Sequence, residues 1–132
     1  MINLHLANCN IGKEGARALA VGIGQMKNLS VLDLNGNKIL TDGCIAIMKE
    51  LKANVSLTEL YLNSNFIDVE GSLHVAECLE NKKYIAELWL SYNNMQTKGA
   101  IAIGDALRNK KYLEALMIKK NAIQTEGISA LS

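Results

Sequence analysis

Cysteine, histidine, aromatic side chains and net charge are all scarce in this 132-residue chain, and each scarcity excludes a class of function. Three cysteines, an odd count without a Cys-x-x-Cys pair, do not make the disulfide framework of a small secreted domain and point to reduced thiols in a cytosol. The only histidines are His5 and His74. His74 and Cys78 stand four apart on one helical pattern, but two ligands fall short of the three or four that zinc takes. No Ser–His–Asp arrangement, nucleophile elbow, P-loop or complete GxGxxG occurs, and Gly22-Ile23-Gly24 reads as a helix end. Lys+Arg 14 against Asp+Glu 13 leaves a formal charge of +1, too little for a global nucleic-acid or membrane-binding field. No apolar run approaches the roughly 18 to 20 residues of a membrane span. Met1-Ile2-Asn3-Leu4-His5-Leu6 lacks the basic start and apolar block of a signal peptide. Without an export signal, the sequons at Asn28-Leu29-Ser30 and Asn54-Val55-Ser56 are accidental. The expectation is a cytoplasmic protein with no catalysis, metal, cofactor, small-molecule substrate, nucleic acid or membrane contact.

What is present is a repeat. Leu6, Leu34, Leu62, Leu90 and Ile118 stand 28 residues apart, as do Cys9, Asn37, Asn65, Asn93 and Asn121, and Gly15, Gly43, Gly71, Gly99 and Gly127. Three columns in phase without an insertion make the chain an array of equivalent units, and such arrays serve as surfaces for another macromolecule. With 49% hydrophobic residues the array is expected to bury one continuous core, as a single domain over 1–132 of about five repeats, the last incomplete.

One unit shows what each becomes. In Leu57–Ile67, Leu60 and Leu62 alternate with Glu59, Tyr61 and Asn63, the period of a strand with one buried face. Gly71, Val75 and Leu79 then follow at spacings of four, a helix turning one stripe inward. Thr41, Thr97 and Thr125 stand where a hydroxyl caps a helix start. Asn81 and Asn109 stand where a left-handed residue ends one. Lys82, Lys83, Lys110 and Lys111 follow as a solvated loop edge. A strand–helix–strand connection of this length is right-handed and makes the strands parallel. Helices need about 10 Å of width and strands about 4.8 Å, so the stack curves with strands inside. The Gly column marks helix starts too close to a neighbour for a Cβ.

The frame Leu29-x-x-Leu32-x-Leu34-x-x-Asn37-x-Ile39, continued by Gly43 and Ile47 and repeated at Leu57, Ile85 and Leu113, resembles the leucine-rich repeat in its ribonuclease-inhibitor-like form. The resemblance covers essentially the whole chain. It implies an α/β solenoid, a right-handed horseshoe segment with a concave parallel sheet and convex helices. It also implies that Asn37, Asn65, Asn93 and Asn121, with Cys9 substituting in the first unit, form a ladder satisfying the turns. The family includes nuclease inhibitors, small-GTPase regulators, actin-filament cappers, immune sensors and secreted bacterial effectors, nearly all of which bind protein. Gly15-Ala16-Arg17-Ala18-Leu19-Ala20 is also similar to the motif of the GALA bacterial effectors, whose units are shorter. For a secreted effector, the cytoplasm in question is the host's.

In this fold the residues flanking the core leucines face the concave side. They form four columns: Asn3, Val31, Glu59, Glu87, Ala115; His5, Asp33, Tyr61, Trp89, Met117; Ala7, Asn35, Asn63, Ser91, Lys119; and Asn8, Gly36, Ser64, Tyr92, Lys120. The single Trp and two of four tyrosines fall there, where packing does not ask for them. The candidate partner-binding set is therefore Tyr61, Trp89, Tyr92 and Met117, rimmed by Asp33, Glu59, Glu87, Lys119 and Lys120. Cross-strand stacking within the sheet is the competing account. A second column, Arg17, Ile45, Leu73, Ile101 and Ser129, either forms an outward apolar ridge or is rotated into the core. Neither end shows a polar capping segment, so either the chain is a fragment or a partner covers an end. The functional expectation is a non-catalytic module gripping one protein on its concave face, as an inhibitor or regulator of a partner enzyme in the effector manner. The alternative is a sensing or scaffold fragment of a larger switch protein, such as an immune sensor or GTPase regulator.

Overall fold

The computed structural model describes residues 1–123. Strands β1 (Ile2–His5), β2 (Leu29–Asp33), β3 (Glu59–Tyr61), β4 (Glu87–Trp89) and β5 (Ala115–Met117) alternate with helices α1 (Gly12–Ile23), α2 (Leu40–Leu51), α3 (Val69–Leu79) and α4 (Gln96–Leu107). All neighbours in the sheet are parallel, in the order β1-β2-β3-β4-β5. The register is the repeat itself: Val31 faces Glu59 and Glu59 faces Glu87, while Asp33 faces Tyr61, Tyr61 faces Trp89 and Trp89 faces Met117. Leu32, Leu60 and Leu88, together with Leu34, Leu62 and Leu90, are fully buried against Ile47, Val75 and Ile103 of the helices. The α/β leucine-rich solenoid is thus the observed architecture. Thr125, Gly127, Ser129 and the incomplete end of the fifth unit lie outside the described residues.

The asparagine ladder is present in atomic detail. Oδ1 of Asn37 accepts the backbone N–H groups of Cys9 (2.9 Å) and Ile11 (3.3 Å), and its Nδ2 donates to the carbonyls of Leu6 and Leu34. Asn65 and Asn93 repeat the pattern one and two units on, and Asn121 repeats it toward Met95 and Leu90. Each asparagine therefore completes the turn of the unit before it. Cys9 departs from the expectation: it is exposed, and its Sγ lies 3.5 Å from the Ala7 carbonyl of its own turn.

The expected threonine caps are missing. The residues entering α1, α2 and α4 are Ile11, Ile39 and Met95, none with a capping side chain. Their N–H groups go to the next unit's asparagine, and those of Gly12, Leu40 and Gln96 go to the same residue's carbonyl. The N–H groups at each entry are thus satisfied by a neighbour, and the expected threonines lie past the cap position. Thr41 lies inside α2 and accepts the Asp68 N–H instead, and Thr97 lies inside α4. Asp68 is the one side-chain cap among the described helices, accepting from the Gly71 N–H at 3.2 Å. The Thr41 hydroxyl and backbone N–H groups hold its carboxyl below the usual range.

Other expectations need correcting. Asn81 and Asn109 are not left-handed; positive φ occurs instead between strand and helix, where Asn8, Gly36, Ser64, Tyr92 and Lys120 form one 28-residue column among others. Asn81 instead donates to the Lys52 carbonyl. Lys82 is no part of a solvated edge. It is fully buried, with Nζ donating to the Leu51 carbonyl (2.8 Å) and Asn81 Oδ1 (2.7 Å), and burial pulls its pKa down. Cys78, four residues from His74, is buried, as is Cys44. The Asn54 amide is buried and donated to the Leu29 carbonyl, which removes that sequon from consideration. Two members of the glycine column behave as read: a Cβ on Gly43 would come within 2.8 Å of Ala16 Cβ, and one on Gly99 within 3.0 Å of Ser72 Cβ, whereas at Gly15 and Gly71 the nearest atom belongs to Ile11 and Ile67 of the same unit.

Candidate functional site

Strands β3 and β4 present Glu59 and Tyr61, and Glu87 and Trp89, on the open face, because the leucine between each pair is drawn wholly into the core. All four are half-buried. The Tyr61 hydroxyl donates to Glu59 Oε1 and lies 3.3 Å from Glu87 Oε1. Trp89 Nε1 donates to that same Glu87 oxygen at 3.0 Å. The rings of Tyr61 and Trp89 pack at 5.3 Å between centroids, tilted by 41°. Desolvation, then the two carboxylates, push the Tyr61 pKa above its ordinary value, so the phenol is a fixed donor at neutral pH. Trp89 is therefore held on both sides, rather than standing free in solvent as its column alone suggests.

The other residues of the set stand around this cluster. Met117 follows Trp89 in register and is 37% exposed. Asp33 precedes Tyr61 in register, but its carboxylate turns back to accept the Asn35 N–H at 3.1 Å and lies 3.9 Å from His5 Nδ1. Tyr92 is 56% exposed and lies in the left-handed turn beyond β4, with Lys120 at the equivalent place beyond β5. Lys119 and Lys120 are exposed, and neither ammonium group has an ion-pair partner among the described residues. Glu59, Tyr61, Glu87 and Trp89 thus form one bonded cluster, Met117 extends it, and Asp33, Tyr92, Lys119 and Lys120 flank it.

Two features escaped the sequence reading. The column Asn35, Asn63, Ser91 is a second ladder: Asn35 Oδ1 accepts the Asn63 N–H, Asn63 Oδ1 the Ser91 N–H, and Ser91 Oγ the Lys119 N–H, at 2.8, 2.7 and 3.0 Å. It runs in the opposite sense to the first, each side chain serving the unit after it. The recurrence of Asn at 35 and 63 was the available signal. At the helix-to-strand edge, Tyr84 and Tyr112 are exposed and pack at 5.7 Å, with Lys83 Nζ 5.6 Å from the Tyr84 ring centre. That edge therefore interleaves aromatics with its lysines. The outer helical column is mixed, with Ile45 and Leu73 half-buried and Ile101 exposed. Leu73, Ala76, Ala102 and Ala106 floor an open groove between α3 and α4. Among the described residues no three His, Cys, Asp or Glu side chains gather as a metal site, and no helix is long and apolar enough to cross a membrane.

Residues 3–20, 25–48, 83–104 and 109–132 match the model of a family described as Leucine Rich repeat. No curated protein matches the sequence. Among solved structures, one titled "Leiomodin-1 Actin-Binding Site 2 (ABS2)" aligns with a TM-score of 0.77 and 20% identity, over 98% of this chain and 75% of that one. The tropomodulin C-terminal domain of Caenorhabditis elegans aligns with a TM-score of 0.82 and 16% identity, over 99% of this chain and 80% of that one. At these identities the likeness is one of fold. Stacked parallel strands, returning helices and the asparagine ladder agree with the family match over more than half of the sequence, and the chain belongs to the leucine-rich repeat family, whose domains are protein-interaction modules.

Proposed function

We propose that this domain binds one protein partner on its open sheet face, without catalysis, and that the row Tyr61–Trp89–Met117 carries most of the binding energy. The supporting observation is placement: the only Trp of the chain lies on the solvent side of a sheet whose core side is already filled by leucine. Paired aromatics centred among charged residues are the composition of an interface hot spot. Asp33, Glu59 and Glu87 on one side and Lys119 and Lys120 on the other set orientation and association rate. In its sharpest form the module is an inhibitor or regulator that covers the working surface of a partner enzyme in the cytoplasm, in the manner of ribonuclease-inhibitor-like and effector proteins.

A second reading makes the chain one segment of a larger regulatory protein. The titles of both structural neighbours support it, since one is a numbered binding site and the other a C-terminal domain. The leiomodin-1 title also makes actin the first partner to try. The test is affinity capture and titration with wild type beside Trp89→Ala. The variant should lose roughly 2 kcal/mol or more of binding. Its stability should fall by about 1 kcal/mol, the value of one cross-strand aromatic contact. Unchanged partner binding with lowered stability would make the ring a packing residue and end the proposal.

A further inference from the structure

Glu59 and Glu87 stand directly opposite one another on adjacent parallel strands, an arrangement in which like charges repel. No lysine, arginine or histidine neutralises either among the described residues. The arrangement is held by neutral donors: Tyr61 gives its proton to Glu59, and Trp89 gives its indole N–H to Glu87. Both bonds fall on Oε1. The second oxygen of each carboxylate has no hydrogen-bond partner among the described residues, beside two aromatic rings whose centroids are 5.3 Å apart. Two unneutralised carboxylates with free oxygens, held at the polar edges of a Trp and a Tyr ring, are complementary to a cation that is flat, multiply donating and weakly hydrated. A guanidinium meets each of those demands, offering paired N–H groups to the oxygens and a planar face to the indole. An ammonium brings the charge and three donors, but it is compact, strongly hydrated and without a planar face.

We infer that the open face of β3 and β4 receives an arginine side chain from a basic, extended segment of the protein partner, clamped between the Glu59 and Glu87 carboxylates and stacked on Trp89. This rests on the concave-face reading and names the chemistry of the partner for it. The lysines beyond β5 fit the same picture, since Lys119 and Lys120 repel a basic segment from that end and fix where it lies along the sheet.

Because Trp89 is the only tryptophan, its fluorescence reports this site alone. The probes are an (Arg-Gly)4 peptide and its lysine, citrulline and glutamate counterparts, titrated into the whole chain at low salt. The arginine peptide should give a saturable change in emission, weaker by several-fold with lysine and absent with citrulline. Glu59→Gln with Glu87→Gln should weaken the arginine peptide at least ten-fold, with the far-UV spectrum unchanged. Lys119→Ala should tighten the arginine peptide at low salt, because it removes a like charge beside the segment. Citrulline equal to arginine, a response to the glutamate peptide, or arginine binding that survives the double glutamine variant would each overturn the inference. Its failure is separable from failure of the concave-face reading. If Trp89→Ala loses the protein partner while no arginine peptide binds, the face stands and the cation does not. If Trp89→Ala keeps the partner, the face itself is wrong.

Discussion

Replacing Asn65 by alanine tests the principle on which the stack is built. Asn65 is fully buried, and its Oδ1 accepts the N–H groups of Asn37 (3.0 Å) and Ile39 (3.3 Å). Its Nδ2 donates to the carbonyls of Leu34 and Asn63. The four bonds are not equivalent in what their loss leaves behind. The Leu34 carbonyl still receives Asn37 Nδ2, and the Asn63 carbonyl still receives the Gly36 N–H. The two N–H groups have no alternative acceptor, and both residues are fully buried. Stranding two buried donors at about 1 to 2 kcal/mol each gives a loss of about 2 to 4 kcal/mol. For a domain of this size that lowers the midpoint of thermal unfolding by on the order of 10 °C. The same change at Asn37 frees the N–H groups of Cys9, which is exposed, and Ile11, which is half-buried, so water can replace the amide. Asn37→Ala should cost about 1 kcal/mol. Urea unfolding of both variants, followed by circular dichroism, reads the difference. Equal losses, or less than about 1 kcal/mol at Asn65, would show that the ladder is not what closes the turns.

Three further outcomes follow from burial. Native protein should titrate one thiol rapidly with a disulfide reagent, Cys9, while Cys44 and Cys78, buried and with pKa values raised chiefly by desolvation, react only after unfolding; two fast thiols would contradict the packing of α2 on α3. Lys82→Met should stay within about 1 kcal/mol of wild type, because the Leu51 carbonyl keeps the Asn54 N–H, while Lys82→Ala should lose about 2 to 3 kcal/mol to the cavity, as measured by denaturant unfolding. The pH series has a definite sign. The folded-state pKa of Lys82 lies below its unfolded value, so its contribution to stability is present above about pH 10.4, is lost as pH falls through the folded value, and is missing from the Met variant at every pH.

The parts of this molecule legible in its sequence are those that recur. The leucine, asparagine and glycine columns set strand register, ladder and helix approach at once, because 28-residue periodicity turns spacing into contact. What failed to show was interaction between units that leaves no periodic trace in residue type. Thr41 looks like a cap, but it lies inside α2 and its hydroxyl takes the Asp68 N–H of the next unit. Lys82 looks solvated because nothing in its own unit reveals a carbonyl one unit earlier, at Leu51, waiting for its ammonium. Cys9 was read by its column, yet its Sγ turns to the Ala7 carbonyl of its own turn, which the column does not reveal. In the candidate site the positions of Tyr61 and Trp89 followed from alternation. Their bonds to Glu59 and Glu87 did not, since alternation places side chains without aiming them.

The direction of the asparagine ladder carries a consequence in time. Oδ1 of each rung reaches backward, toward residues made earlier: Asn37 to Cys9, Asn65 to Asn37, Asn93 to Asn65. On a ribosome, a turn that has emerged stays open until the next 28 residues follow it. At roughly 5 to 20 residues per second that wait is about 1.5 to 6 s. The nascent chain therefore always carries one unfinished turn at its growing end, and a pause in translation prolongs the exposure of that turn and no other.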